Sequence, residues 1–410
     1  MKIKKILIYS ANTYNFDEYL LGIINKLFNE FHEIEITLIQ NSFFIDSAKK
    51  ILNTLESLKK NKNFNYEIYE IYSDNNSIQN HYNYINILNK IFHNKYDILI
   101  TQTDSYLFDK YLLHFSRKNN LKTILIHCNT LDRNLLKKNY KLFCNFKEEI
   151  NSKNNNKLKL NNKLIIYLKF FFKLIKYKIA QLIELKIIPK FFLKTFFYKN
   201  LLDDYIIPSG HTDYIFTLDK IDYILTKKLT NKKNVFLIEH PIKYVQNFEI
   251  KKNTLLVALN NYKNEYYKEE IDEWISILKK LITKHKIEKI NIKFHPRTDY
   301  NATWKNYFLS LLPKNKQIKI FDNNNYSFHE IFNAEVIVSP FSGVLRSISN
   351  ITENNAIYCL MNMGKNKDDY DFYLGYSPRV KFINSKNIIY NLKIINQVET
   401  LRFIEILKQI

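Results

Sequence analysis

The chain has 410 residues, of which 46% are hydrophobic and 15% aromatic; this length favours two domains, and this composition excludes an intrinsically disordered protein. Its formal net charge of +22 would attract polyanions, anionic lipid surfaces and phosphorylated substrates alike. The three cysteines lie far apart with no CxxC spacing, which argues against a disulfide framework or a zinc site and favours a reducing, cytoplasmic compartment.

The first half alternates short apolar runs with helical patterns, as expected for βαβ units around a mostly parallel sheet. Residues 1–9 place basic residues before an apolar run that is too short for a secretion signal, so we predict a buried first strand there. Nowhere do about 18 apolar residues follow one another without interruption, so no membrane-spanning helix is predicted. The predicted strands of this half are 5–9, 34–39, 66–71, 97–101, 122–127, 214–217 and 235–238.

One segment breaks this alternation. Residues 163–199 contain nine lysines, one acidic residue and many Phe, Leu and Ile side chains at helical spacing. This pattern favours a pair of amphipathic helices, broken at Pro189, that lie at an anionic membrane surface. The alternative is a helix pair buried in the first domain, whose lysine side chains extend to solvent.

The alternation restarts near residue 253, with predicted strands at 254–259, 289–294, 318–321, 336–338 and 356–360 and a long helix at 265–284. We therefore predict an α/β protein with two Rossmann-like domains, 1–245 and 246–387. The basic insert occupies about 157–200, a polar linker 242–252, and a C-terminal helix 388–410 could pack back across the linker.

Residues 289–299, KINIKFHPRTD, predict a strand followed by His295, Pro296 and Arg297. Proline ends the strand, and the two basic side chains follow at its carboxyl end, where open α/β sheets bind ligands. His295 could protonate or hydrogen-bond a leaving phosphate, and Arg297 could neutralise it. The alternative is an ordinary turn.

Residues 334–348, AEVIVSPFSGVLRSI, predict a buried strand, a turn and a helix. Ser342 falls at the helix N-cap and Gly343 permits close backbone approach, which together suit a phosphate group at the positive end of the helix. The alternative is that Ser342 only caps the helix. Two such turns in one domain favour a nucleotide site.

With these motifs, residues 254–360 resemble the donor-binding domain of GT-B glycosyltransferases, and more narrowly the bacterial sialyltransferase and polysialyltransferase families (families 52 and 38). His295 and Pro296 match the HP motif of those families, and Ser342 matches their phosphate-binding serine. The resemblance implies two Rossmann-like domains facing a central cleft. It also implies a CMP-activated acidic sugar transferred with inversion, with the histidine at the CMP phosphate. Gly343 stands where those families have a second serine or a threonine.

Those families carry a paired-acid-plus-glycine motif that supplies the general base, and no such triplet occurs here. Asp104 and His127 each follow a predicted buried strand of the first domain, so either could deprotonate an acceptor hydroxyl. The alternatives are a helix N-cap for Asp104 and a core histidine for His127. Asn260, after the first strand of the second domain, and Glu330, before the serine turn, could contribute to the donor pocket, although Glu330 could also simply complement the helix dipole.

The leading hypothesis is a metal-independent, cofactor-free inverting glycosyltransferase. The first domain would receive a surface glycan or glycolipid acceptor, as in capsule or lipooligosaccharide synthesis, at the inner face of the cell membrane. The second domain would bind the nucleotide-sugar donor. One alternative is a CDP-glycerol or other CDP-alditol phosphotransferase of the teichoic-acid type, which would use two histidines such as His127 and His295. A non-enzymatic polyanion-binding protein is the other alternative, but no nucleic-acid-binding motif is present and no nucleic-acid partner is expected.

Overall fold

We describe a computed structural model of the chain. The structure describes residues 3–11, 19–31, 33–42, 48–71, 78–104, 107–127, 212–218, 222–223, 226–227, 234–244, 249–259, 268–294, 303–321, 332–340, 344–345, 348, 355–360, 380–383 and 400–410. Among these residues, no helix is both long and apolar enough to cross a bilayer. The basic segment 163–199 lies outside the described residues.

The first domain contains a seven-stranded sheet in the order β3-β2-β1-β4-β5-β6-β7, and all of its strand pairs are parallel. Its strands are β1 (Lys5–Ser10), β2 (Glu35–Asn41), β3 (Phe64–Tyr69), β4 (Ile98–Thr101), β5 (Lys122–His127), β6 (Tyr214–Thr217) and β7 (Val235–Leu237). Its helices are α1 (Leu21–Glu30), α2 (Ala48–Asn61), α3 (Ile78–Ile91) and α4 (Leu107–Lys118).

Helices cover both faces of this sheet, which explains why its central strands are almost continuously apolar. Alternate residues of β1 enter different cores. Ile6 and Ile8 belong to a core that includes α1 and α2 residues, whereas Leu7 and Tyr9 belong to a core that includes α3 and α4 residues. This three-layer arrangement is Rossmann-like.

The second domain contains a six-stranded parallel sheet in the order β10-β9-β8-β11-β12-β13. Its elements are β8 (Lys251–Leu259), α5 (Lys268–Lys284), β9 (Lys289–Phe294), α6 (Thr303–Ser310), β10 (Gln317–Phe321), β11 (Ala334–Pro340), β12 (Ala356–Leu360) and β13 (Val380–Ile383). Trp274 of α5 and Phe308 of α6 pack with residues of β8, β9 and β11 in one core on this sheet.

Several predicted elements need correction. Strand β3 begins at Phe64 and ends at Tyr69, two residues earlier than predicted at each end, and β13 was not predicted. The predicted linker 242–252 extends two residues too far, because β8 already begins at Lys251, and its first residues belong to a 3-10 helix that spans Pro241–Tyr244. Leu401 forms a parallel bridge with Ile238, and the C-terminal helix α7 (Phe403–Gln409) begins only after it. The domain boundaries at 245 and 387 stay predictions.

Candidate active site

Both sheets have a switch point, where the chain changes its direction of travel across the sheet. In the first sheet it lies between β1 and β4, and in the second between β8 and β11. Parallel strands end at one edge of the sheet, and the carboxyl edge at a switch point is where open α/β sheets bind ligands. The residues that follow these strands are therefore the candidates for a site in each domain.

A layer of buried polar side chains lies at the carboxyl edge of the first sheet. It is unusual because the interior of the same strands is almost entirely apolar. The layer comprises Ser10 of β1, Gln40 and Asn41 of β2, Thr101 to Asp104 at the end of β4, His127 of β5 and Thr217 of β6. Asn41 is structural, because its side chain exchanges hydrogen bonds of 3.1 Å with the backbone of Ile71.

Asp104 lies three residues beyond β4 and its side chain is fully buried. The chain leaves the strand in a tight local arrangement in which the Thr101 hydroxyl donates to the Thr103 carbonyl at 2.7 Å and accepts from the Thr103 amide at 3.3 Å. Such side-chain to backbone bonds compete with a continuing strand. The backbone pairing of β4 therefore ends just before Asp104, and the carboxylate belongs to the layer of buried polar side chains at the carboxyl edge.

His127 is the last residue of β5 and pairs in register with Thr217 of β6. Its Nε2 atom lies 3.7 Å from Oδ1 of Asp222, and the two side chains are 1% and 2% exposed. Asp222 was missed by the sequence analysis. The available signal was an acidic residue five positions after β6, at the same carboxyl edge as His127.

His127 and Asp104 come from neighbouring strands. Thr101 of β4 pairs with Leu125 of β5, two residues before His127. Neighbouring strands lie about 4.8 Å apart, so the loop entered at Thr101 and the end of β5 meet at one edge. The structure thus brings both predicted base candidates to the same edge, together with Asp222.

The predicted donor residues His295, Pro296, Arg297, Asn260, Glu330, Ser342 and Gly343 lie outside the described residues, and their roles stay predictions. The strands that precede most of them are described. Strand β8 ends at Leu259 and lies between β9, which ends at Phe294, and β11, which ends at Pro340. The Ser339 hydroxyl donates to the Ala258 carbonyl and so ties the end of β11 to the end of β8.

Among the described residues, no group of three or more His, Cys, Asp or Glu side chains is arranged to hold a metal ion. The expectation of a metal-independent reaction stays a prediction. The geometry of the first domain instead offers a buried imidazole and two buried carboxylates, which are groups that can accept or hold a proton.

No protein-family model matches the chain, and no curated protein matches its sequence. Its fold is similar to that of the UDP-GlcNAc 2-epimerase from Methanocaldococcus jannaschii, with a TM-score of 0.51 and 15% identity over 94% of each chain. The enzyme from Neisseria meningitidis, in a structure bound to UDP-GlcNAc, matches with a TM-score of 0.50 and 12% identity over 93% of this chain and 88% of that chain.

These matches extend over both domains and show a GT-B-like fold of two Rossmann-like domains, which confirms the predicted fold class. At this level of identity they show the fold alone. The narrower resemblance to the sialyltransferase and polysialyltransferase families stays a prediction.

Proposed function

We propose that the chain is a nucleotide-sugar-dependent glycosyltransferase with its proton-accepting group in the first domain and its donor site in the second. The observation that carries this proposal is the buried group of Asp104, His127 and Asp222 at the carboxyl edge of the first sheet. Buried titratable groups at such an edge are typical of catalytic sites. The fold supports the proposal, because its structural neighbours are enzymes named for a nucleotide sugar.

Two sources of evidence favour different nucleotide-sugar donors. The HP motif and the serine turn favour a CMP-activated acidic sugar moved with inversion, whereas the names of the structural neighbours favour a UDP-sugar. In either case, His295 and Ser342 would hold the phosphate next to the sugar at the edge where β9 and β11 end. The acceptor would be a surface glycan or glycolipid presented at the inner membrane face.

A second function, transfer of an alditol phosphate from a CDP-alditol, would use the same buried pair. His127 is paired with a buried carboxylate, as a base that activates a hydroxyl would be. In this alternative the acceptor oxygen would attack phosphorus instead of the anomeric carbon, and the leaving group would be CMP. The two functions therefore differ in the bond that breaks.

Ligand screening and donor turnover test the proposal together. CMP, CDP, UDP and GDP are each added in a thermal-shift assay, and the hydrolysis of CMP-N-acetylneuraminate, UDP-N-acetylglucosamine and CDP-glycerol is followed with and without glycan acceptors. His295→Ala should lower turnover of the preferred sugar donor by about 10²-fold or more, the loss expected for an acid group at the leaving phosphate. The variant should keep the wild-type melting temperature.

His285 provides the matched control within the same domain. It follows α5 and precedes β9, at the opposite edge of the sheet, and its Nε2 atom lies 3.0 Å from the Tyr358 hydroxyl. His285→Ala should leave the turnover of folded protein unchanged. Full turnover in His295→Ala would contradict the donor site. Conversion of UDP-N-acetylglucosamine into its 2-epimer without an acceptor would contradict the transferase function and favour an epimerase.

A further inference from the structure

The His127–Asp222 pair joins two neighbouring elements at the carboxyl edge of the first sheet. His127 ends β5, and Asp222 is a helical residue five positions after β6, the next strand in the sheet. Nε2 and Oδ1 lie 3.7 Å apart, which is within ion-pair range and longer than a direct hydrogen bond. Catalytic hydrogen bonds are often long before a substrate binds and shorten in the complex.

The burial of this pair is costly for stability. Both side chains are almost fully buried, and a buried ionisable pair is often replaced by apolar residues with no loss of stability. Nearby buried positions of the same two strands, such as Ile124, Ile126 and Ile215, are apolar. A function that needs the imidazole in a defined orientation explains why the pair is present.

The contact with Asp222 also bears on which ring nitrogen of His127 carries the proton. In a neutral imidazole one ring nitrogen carries the proton and the other carries the lone pair. A carboxylate facing Nε2 favours the tautomer with the proton on Nε2, which leaves the lone pair on Nδ1. If the 3.7 Å contact shortens to a hydrogen bond in the substrate complex, Asp222 would hold the His127 ring in this tautomer and rotation.

We propose that His127, oriented by Asp222, is the general base of the transfer reaction, so that Asp222 is a positioning residue and Asp104 is not the base. This inference rests on the proposed function. Nδ1 of His127 removes the proton of the acceptor hydroxyl, and the acceptor oxygen forms a bond to the anomeric carbon of the donor sugar. The bond from that carbon to the phosphate oxygen breaks, and its electron pair leaves with the nucleotide. The imidazolium next to Asp222 then returns its proton to solvent.

A double-mutant cycle on the full-length protein tests the role of Asp222. The probe reaction is hydrolysis of the sugar nucleotide that wild type turns over best, CMP-N-acetylneuraminate or UDP-N-acetylglucosamine, with water as the acceptor. His127→Ala should lower kcat by about 10²-fold or more, the usual contribution of a general base. Asp222→Asn should lower kcat by a similar or smaller factor, with KM for the donor unchanged.

The decisive variant carries both changes. If Asp222 acts only through His127, the double variant should lose no more than His127→Ala does, within the error of about twofold that additive behaviour shows. A purely structural role would instead multiply the two losses. Asp222→Glu, which keeps the carboxylate, should retain more activity than Asp222→Asn. It is used in place of Asp222→Asn if that variant does not fold.

Thr226 supplies the matched control, because it is a buried polar residue on the same segment, four positions after Asp222. Thr226→Val should change the melting temperature without changing kcat. Wild-type kcat in Asp222→Asn, multiplicative losses in the cycle, or inactivation by Asp104→Asn with an active His127→Ala would each overturn the inference alone. No hydrolysis of either donor by wild type, together with no binding of any nucleotide, would overturn the proposed function and the inference with it.

Discussion

Gly22 of α1 lies so close to the 3-10 helix Pro241–Tyr244 that no side chain fits between them. A Cβ atom at position 22 would lie 2.1 Å from the Pro241 carbonyl oxygen and 2.6 Å from its carbon. Both are backbone atoms, so they cannot move aside without shifting the 3-10 helix. The same 3-10 helix contains Tyr244, whose hydroxyl donates to Glu239 at 2.6 Å. Burial of the tyrosine, and secondly this hydrogen bond, raise the pKa of Tyr244.

Gly22→Ala should therefore destabilise the first domain, although alanine is the better helix former by roughly 1 kcal/mol. Overpacking of this kind typically costs about 1–3 kcal/mol, so the steric effect should determine the sign. Calorimetry of the variant measures the change. Asn29→Ala, at an exposed position of the same helix, is the control and should be neutral or slightly stabilising. Stabilisation by Gly22→Ala would show that the two helices are not in contact.

At the residue scale, the sequence identified the two candidate bases at the ends of apolar strands but not Asp222, which lies next to His127. Asp104 and His127 were recognisable because each lies at the carboxyl end of a buried β-strand, Asp104 three residues beyond β4 and His127 as the last residue of β5. Asp222 lies in a segment, LDKIDYIL, whose helical spacing and mixed charge do not distinguish a buried aspartate from a solvated one. Its position next to His127 comes from the parallel pairing of β5 with β6, and sequence spacing alone does not give that pairing.

At the element scale, the last ten residues complete the first domain. Leu401, which follows the second sheet in the chain, pairs alongside the end of β7. Its amide donates to the Leu237 carbonyl at 2.9 Å, and its carbonyl accepts from the Glu239 amide at 3.2 Å. Phe403 and Leu407 of α7 are fully buried in the core that covers one face of the first sheet. The ring of Phe403 packs edge-on against Phe216 of β6, with centroids 5.5 Å apart.

Phe403→Ala should consequently unfold the first domain more easily, even though residue 403 follows the second domain in the chain. Truncation of a buried phenylalanine costs about 3–5 kcal/mol, and the loss should appear as a lower first transition in calorimetry. Nucleotide binding by the folded protein should persist. Lys408→Ala on the same helix removes an exposed ion pair with Glu30, 3.2 Å long, and should have a far smaller effect. An unchanged transition in Phe403→Ala would contradict this packing.

The strands that sequence predicted best are those inside a sheet. Strands β5, β6, β9 and β12 have the predicted bounds because each is a short, largely apolar run bounded by polar residues. The missed strand β13 is an edge strand of four residues that includes a lysine, and its pairing partner β12 is what makes it a strand. The linker was misplaced for a related reason. The polar residues Lys251 and Lys252 are typical of a loop, but they are the exposed first residues of β8, ahead of its buried part.

At the scale of the whole molecule, the net charge of +22 calls for a partner or a surface that balances it. Nine of the lysines fall within 163–199, among many aromatic and aliphatic side chains. Each lysine near an anionic leaflet contributes on the order of 1 kcal/mol to binding. We therefore expect firm but peripheral attachment of the full-length protein to anionic vesicles, with partial release by high salt, because salt screens only the electrostatic part.

Charge removal tests whether this attachment belongs to the basic segment or to the molecule as a whole. Changing four lysines of 163–199 to glutamine should weaken binding to anionic vesicles and lower activity on a lipid-linked acceptor, while activity on a soluble acceptor is retained. The control removes the same charge from the second domain, by the same change at the exposed residues Lys279, Lys280, Lys284 and Lys286. If net charge alone drove attachment, both quadruple variants would lose vesicle binding equally. If the segment were instead a helix pair buried in the first domain, its variant would lose activity on both acceptors together with thermal stability, because the lysines would then be packing residues whose stems cover apolar surface.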